Sequence, residues 1–170
     1  HRDVKPSNVY LSSSGHYLLG DLGIAKIDEL KYCSMPENML SSFSAPELFS
    51  LLGTIEPTTD IYSVGMILYR IYNGNHGPFE DEKTSARAAD KLRVTGEQLP
   101  APMYADYEMA DILLKACAFK PEDRYQTPQE LQEALLEYGK RNEASDALIV
   151  PPLEGEPEKI DPSAEEEGAP

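Results

Sequence analysis

The sequence predicts an α+β fold, mainly α-helical, with one small β-hairpin near its beginning. Three observations carry this reading. Two short apolar, β-prone runs flank a turn-forming stretch within residues 9–19. Further on, apolar residues recur at helical spacing in residues 60–72 and 107–118. Around residue 127 the chain carries the Thr, Pro and Glu punctuation that starts a helix.

The elements follow in order. Val9-Tyr10-Leu11 and Tyr17-Leu18-Leu19 are the two strands, and Ser12 to His16 is the turn between them. Tyr10, Tyr17 and the leucines beside them read as core. Residues 22–47 show no periodicity and contain Pro36, Asn38 and several serines, which predicts a long loop. In residues 60–72, Ile61, Val64, Leu68 and Ile71 share one helical face, and Met66 and Ile67 make the opposite side apolar. A helix that is apolar on most sides belongs in the interior. Gly74 is its expected stop. Ala86 to Leu92 forms a second, amphipathic helix, and a third places Met109, Ile112, Leu113 and Ala116 on one face. The last helix takes Thr127 as N-cap, Pro128 at its first position and Glu130 to complete a capping box. Leu131, Leu135 and Tyr138 are its apolar stripe, and Gly139 is its expected end.

Composition bounds the function. Of 170 residues 41% are hydrophobic, enough for one domain with a core. The net charge of −15 argues against a nucleic-acid binder that neutralises phosphates. No apolar run approaches the ~18–20 residues that span a bilayer. Nine acidic residues against Lys159 alone fall in residues 143–170, where Pro and Gly recur. The chain therefore divides into a folded part, 1–141, and an acidic tail, 142–170, expected to be disordered. Cys33 and Cys117 fit no metal-ligand spacing and read as free thiols of a reducing compartment. With three histidines, a zinc site is not expected. His1, where a Met would start a natural chain, suggests that the native N-terminus lies upstream.

The chemistry gathers at the hairpin. Asn8 immediately precedes the first strand and Asp21 closely follows the second, so antiparallel pairing brings them to one end. Asp3 lies in the loop that feeds that end. Two carboxylates and an amide are hard oxygen donors or proton acceptors, a set suited to Mg²⁺ and phosphate. Hairpin ends often carry Asn and Asp, so the geometry alone is weak evidence.

The motif order is stronger. His1-Arg2-Asp3-Val4-Lys5-Pro6-Ser7-Asn8 resembles the protein-kinase catalytic loop. Asp21-Leu22-Gly23 resembles the kinase D-F-G motif, and Ser44-Ala45-Pro46-Glu47 the A-P-E motif. Asp60 to Gly65 looks like the family's buried helix, and Pro121 to Tyr125 like its late Arg motif. The resemblance covers roughly residues 1–139 and implies the helical C-terminal lobe of a protein serine/threonine kinase, with a bacterial flavour. It further implies ATP and Mg²⁺ as cofactors and a protein as substrate. Asp3 would accept or orient the proton of the substrate hydroxyl, and Lys5 would steady the γ-phosphate. Asn8 and Asp21 would hold Mg²⁺ on the ATP phosphates. Arg2 would receive a phosphate on the activation segment, with Ser41 and Ser42 as the candidate phosphosites. Glu47 and Arg124 would form a buried ion pair, and Asp60 would hydrogen-bond the catalytic-loop backbone. His1 reads as a packed residue.

The pattern also departs from the family. Leu22 stands where Phe is usual, and Leu40 or Ser41 where a Thr commonly bonds the catalytic Asp and Lys. No G-x-G-x-x-G loop occurs, which makes the chain a fragment expected to be inactive alone. The alternative is a pseudokinase, a kinase-shaped interaction module. The expected location is the cytoplasm.

Overall fold

The computed structural model describes residues 1–22, 40–50, 53–81 and 83–142. The expected loop residues 23–39, Cys33 among them, and the acidic residues 143–170 lie outside the described residues.

Strands β1 (Val9–Leu11) and β2 (Tyr17–Leu19) pair antiparallel, with Val9 opposite Leu19 and Leu11 opposite Tyr17. The turn between them is closed by backbone bonds from Ser12 N to His16 O and from Gly15 N to Ser12 O, 2.8 and 2.9 Å. The ribbon is not core. Tyr10, Tyr17 and Leu18 are 53%, 78% and 55% exposed, which corrects the sequence reading. A two-stranded ribbon satisfies its ladder but buries nothing unless another layer covers it.

Among the described residues four α-helices follow: α1 (Thr58–Ile71), α2 (Ala86–Val94), α3 (Tyr107–Ala116) and α4 (Pro128–Asn142). Helix α1 packs on α3, and α3 on α4. Gly65 makes the first contact possible, because a Cβ there would sit 2.8 Å from Cys117 Sγ and 2.9 Å from Ala116 Cβ. One core cluster joins Ile61, Ile112, Ala116, Tyr125 and Leu131, with Ala134, Leu135 and Tyr138 packed on it. A second joins Ala45, Tyr62, Met66 and Cys117. The buried side of α1 therefore runs through Ile61, Tyr62, Met66 and Tyr69, while Val64 and Ile71 are exposed. The helix is largely buried as expected, and its neighbours decide which of its apolar sides they cover: Met66 is buried, Val64 and Ile71 are not.

Caps fix the helix starts. Asp106 Oδ1 accepts from Met109 N (2.8 Å) at α3, and Ser85 Oγ accepts from Ala88 N (3.3 Å) at α2. At α4, Thr127 Oγ1 accepts from Glu130 N (3.2 Å), while Glu130 Oε2 accepts from Gln126 N (2.9 Å), one residue before the N-cap. Gly74, at φ +61°, lies just past the end of α1 in the left-handed conformation.

Gly139 does not end α4, which runs on to Asn142 with Asn142 Nδ2 bonded to Tyr138 O at 2.9 Å. A glycine stops a helix by taking a left-handed φ, and Gly139 does not do so. A Cβ there would meet nothing within 4 Å. Gly139→Ala is thus expected to stabilise the fold by about 0.5–1 kcal/mol, seen as a raised melting temperature. A lowered one would contradict the helical assignment.

Candidate active site

The site is built from the first turn of α1. Its Asp60 carboxylate accepts from the His1 backbone nitrogen at 2.7 Å and from Arg2 N at 2.8 Å. These bonds hold Arg2 at φ +68°, a left-handed conformation that costs a non-glycine residue roughly 1–2 kcal/mol. Asp21 is the other left-handed residue of the region, at φ +59°. Backbone strain of this kind persists where the surroundings impose it and tends to cluster at functional sites.

Asp3 follows directly and is 7% exposed. Its Oδ2 meets Lys5 Nζ at 2.8 Å and Asn8 Nδ2 at 3.1 Å, and Asn8 Nδ2 also donates to the Asp3 carbonyl at 2.9 Å. The other carboxylate oxygen, Oδ1, is buried and has no hydrogen-bond partner among the described residues. Leaving a buried acceptor unpaired costs about 1–3 kcal/mol. One side of Asp3 is thus fixed by a cation and an amide, and the other keeps an unused acceptor among the described residues.

Asn8 ends a 3-10 turn, Pro6–Asn8, closed by Asn8 N to Lys5 O at 2.9 Å. Proline opens this turn at no expense, because its missing N–H would have had no partner there. Gly20 N then donates to Asn8 O at 2.9 Å, continuing the hairpin ladder by one rung. The Gly20 carbonyl is 2.8 Å from His1 Nε2. A carbonyl only accepts, so the proton of that imidazole sits on Nε2. His1 therefore clamps the open end of the hairpin to the chain start, and Asp21, exposed, comes immediately after the clamp.

The structure thus gathers Asp3, Lys5 and Asn8 into one bonded cluster, and Asp21 follows Gly20, whose N–H pairs with the Asn8 carbonyl. Among the described residues no three His, Cys, Asp or Glu side chains converge on a metal site. A cation here would rest on the Asn8 amide and the Asp21 carboxylate, with a ligand's own oxygens completing its shell. That sparse, all-oxygen set suits Mg²⁺, which commonly keeps few protein ligands.

The Ser44–Glu47 stretch hangs from the same turn of α1. Glu47 and Arg124 form a bidentate pair at 2.8 Å on both arms. Arg124 is 2% exposed and also donates to the carbonyls of Ala118 (2.8 Å), Phe119 (3.0 Å) and Thr58 (3.1 Å), so all five of its N–H groups are used. Thr59 Oγ1 adds a bond to Glu47 Oε1 at 2.8 Å. Thr59 therefore holds the Glu47 segment while its neighbour Asp60 holds the Asp3 loop.

Ser41 and Ser42 both line a groove against α2, and Ser41 Oγ in addition lies 3.3 Å from Ser44 Oγ and accepts from Phe43 N at 3.2 Å. Cys117 is a free thiol, 2% exposed, and burial pushes it up to about 12.

One buried residue escaped the sequence reading. Arg93 of α2 is 2% exposed and donates to Ser44 O at 2.6 Å, to Tyr62 Oη at 3.1 Å and to Asp90 Oδ1. The Tyr62 ring has the Arg93 and Arg124 guanidiniums over it, 5.7 and 4.8 Å from its centre. The only signal was the place of Arg93 four residues after Ala89, on the inner face of α2.

Residues 1–136 match the protein kinase domain. The chain belongs to the protein kinase family. Serine/threonine-protein kinase PknK of Mycobacterium bovis is 30% identical over 155 residues, covering 89% of this chain and 14% of that protein. Serine/threonine-protein kinase PknB of Mycolicibacterium smegmatis is 31% identical over 142 residues, 80% of this chain and 22% of that protein. Tyrosine-protein kinase MasK of Myxococcus xanthus is 35% identical over 141 residues, 79% of this chain and 21% of that protein. These relatives are bacterial, and the chain spans at most about a fifth of their length. Protein kinase domains use ATP and a divalent metal to phosphorylate proteins. Among the described residues, no helix is long and apolar enough to cross a membrane.

Proposed function

We propose that residues 1–141 are the C-terminal lobe of an ATP-dependent protein serine/threonine kinase of the cytoplasm, with residues 142–170 as an appended acidic tail. The observation that carries the reading is the divided environment of Asp3. Its Oδ2 is occupied by Lys5 and Asn8, and its buried Oδ1 has no hydrogen-bond partner among the described residues. A substrate hydroxyl bonded to Oδ1 is oriented and its proton has an acceptor. Lys5, 2.8 Å from Oδ2, keeps an ammonium charge beside the point where negative charge moves during transfer. Asn8 and Asp21 are the residues that would hold Mg²⁺, which neutralises charge on the phosphates when bound. The substrate oxygen bonds to the γ-phosphorus, the bond from that phosphorus to the β,γ-bridging oxygen breaks, and ADP leaves.

Glu47, Arg124 and Asp60 serve structure in this scheme: they tie the loop and the Ser44–Glu47 segment to α1. The presence together of Asp3, Lys5, Asn8 and Asp21 favours the enzyme over a pseudokinase. The test is incubation of the full-length protein with γ-labelled ATP, Mg²⁺ and a mixed protein substrate, followed by phosphoamino-acid analysis. Label on serine and threonine is expected. Label on tyrosine alone would overturn the specificity, and no transfer would overturn the enzyme.

A further inference from the structure

A groove of about 600 Å³ lies between α2 and the stretch Leu40–Ser42. From α2 it takes Arg87, Asp90, Lys91 and Val94, the i, i+3, i+4 and i+7 positions of one helical face. Asp90 is engaged by Arg93 at 3.1 Å, so its charge is compensated from the buried side. Among the described residues neither Arg87 nor Lys91 makes an ion pair, and both are exposed. Among the described residues the groove thus shows two exposed cations with no ion pair, on a chain whose net charge is −15. Its opposite wall runs into Ser44–Glu47, which Arg93, Arg124 and Thr59 fasten to α1. Asp60, next to Thr59, fastens the loop that carries Asp3. One helical turn therefore fixes the groove wall relative to the phosphoryl-transfer site.

We propose that this groove is a specificity subsite for an acidic side chain of the protein substrate, held by Arg87 and Lys91. The inference rests on the kinase reading above. Two cations four residues apart can share one carboxylate, or one phosphate placed by an earlier phosphorylation. A basic side chain in the same place would be repelled, so the pair selects as well as attracts.

The experiment uses the full-length protein and peptide sets in which Asp or Glu is moved position by position around the acceptor hydroxyl, each paired with its Asn or Gln counterpart. Peptide binding by fluorescence anisotropy and kcat/KM are both read. At one or two positions the acid is expected to raise kcat/KM about tenfold, the scale of one charge-assisted hydrogen bond, and to give salt-sensitive binding. A phosphoserine arm at the same positions decides between carboxylate and phosphate as the better ligand. In R87E/K91E the preference should reverse toward Lys or Arg at those positions, a gain that a misfolded protein cannot show. Binding indifferent to the acid in the wild type, or an acid preference kept by R87E/K91E, would overturn the subsite. Acid-dependent binding without turnover on any peptide would support the subsite and sink the kinase reading.

Discussion

Asp3→Asn in the full-length protein is expected to slow phosphoryl transfer by about 10²–10⁴-fold, the usual scale for losing a general base or its orienting equivalent. The amide keeps the size and planarity of the side chain. It replaces one carboxylate oxygen by a donor and removes the charge that faces Lys5 at 2.8 Å. If the nitrogen takes the open Oδ1 position, the substrate hydroxyl meets a donor instead of an acceptor. If it takes the Oδ2 position, it faces the Lys5 ammonium and the Asn8 amide, both donors as well. The first orientation removes the hydroxyl's acceptor, the second sets donor against donor around the side chain, both lose the carboxylate charge, and neither touches the residues assigned to the nucleotide. The fall should therefore appear in turnover and not in nucleotide affinity, measured by steady-state kinetics beside equilibrium binding. Unchanged turnover would remove Asp3 from the chemistry.

Arg124→Met is expected to cost about 3–5 kcal/mol of stability, because it strands a buried charge. Glu47 would lose both arms of its pair and keep the Thr59 hydroxyl, and the carbonyls of Ala118, Phe119 and Thr58 would lose a donor. Domains have only about 5–15 kcal/mol in hand, so a fall in melting temperature of roughly 10 °C follows. Arg124→Lys should rescue little, since one ammonium cannot place five N–H bonds in a plane. Urea denaturation of the three proteins gives the numbers. A loss below about 1 kcal/mol for Arg124→Met would show that the pair is dispensable.

Where local chemistry decides structure, the sequence was legible. The hairpin followed from two β-prone runs around Ser12–His16, and α3 from four apolar residues at helical spacing, all four of which are buried. Helix α4 announced its start through Thr127 and Glu130. What failed depended on neighbours remote in sequence. Tyr10 and Tyr17 have the composition of core residues, but burial depends on what covers a ribbon, and both are exposed. Helix α1 is apolar on most sides, so the positions of α3 and the Ser44–Glu47 segment select Tyr62 and Met66 over Val64 and Ile71. Gly139 has the composition of a stop, yet α4 continues because Lys140 to Asn142 can still satisfy helical bonds. Within the site, residue identities and order were readable. The open Oδ1 of Asp3, the clamp from His1 to Gly20 and the division of labour between Thr59 and Asp60 are properties of three-dimensional placement. Arg93 was hidden because an arginine on a short helix reads as solvated until Ser44 and Tyr62 are seen to receive it.

The most direct test of the site is nucleotide affinity as a function of Mg²⁺ concentration in the full-length protein and in Asp3→Asn and Asp21→Asn. Asp21 is the one full negative charge assigned to the metal, while Asp3 is assigned to the substrate hydroxyl. Wild type and Asp3→Asn should bind ATP along the same rising Mg²⁺ curve. Asp21→Asn keeps the shape of the side chain but loses most of the attraction for a divalent cation, so its curve should be flat and its turnover nearly abolished. An Asp21→Asn protein that follows the wild-type curve, or an Asp3→Asn protein that loses it, would contradict the assignment of phosphoryl transfer to this loop and hairpin.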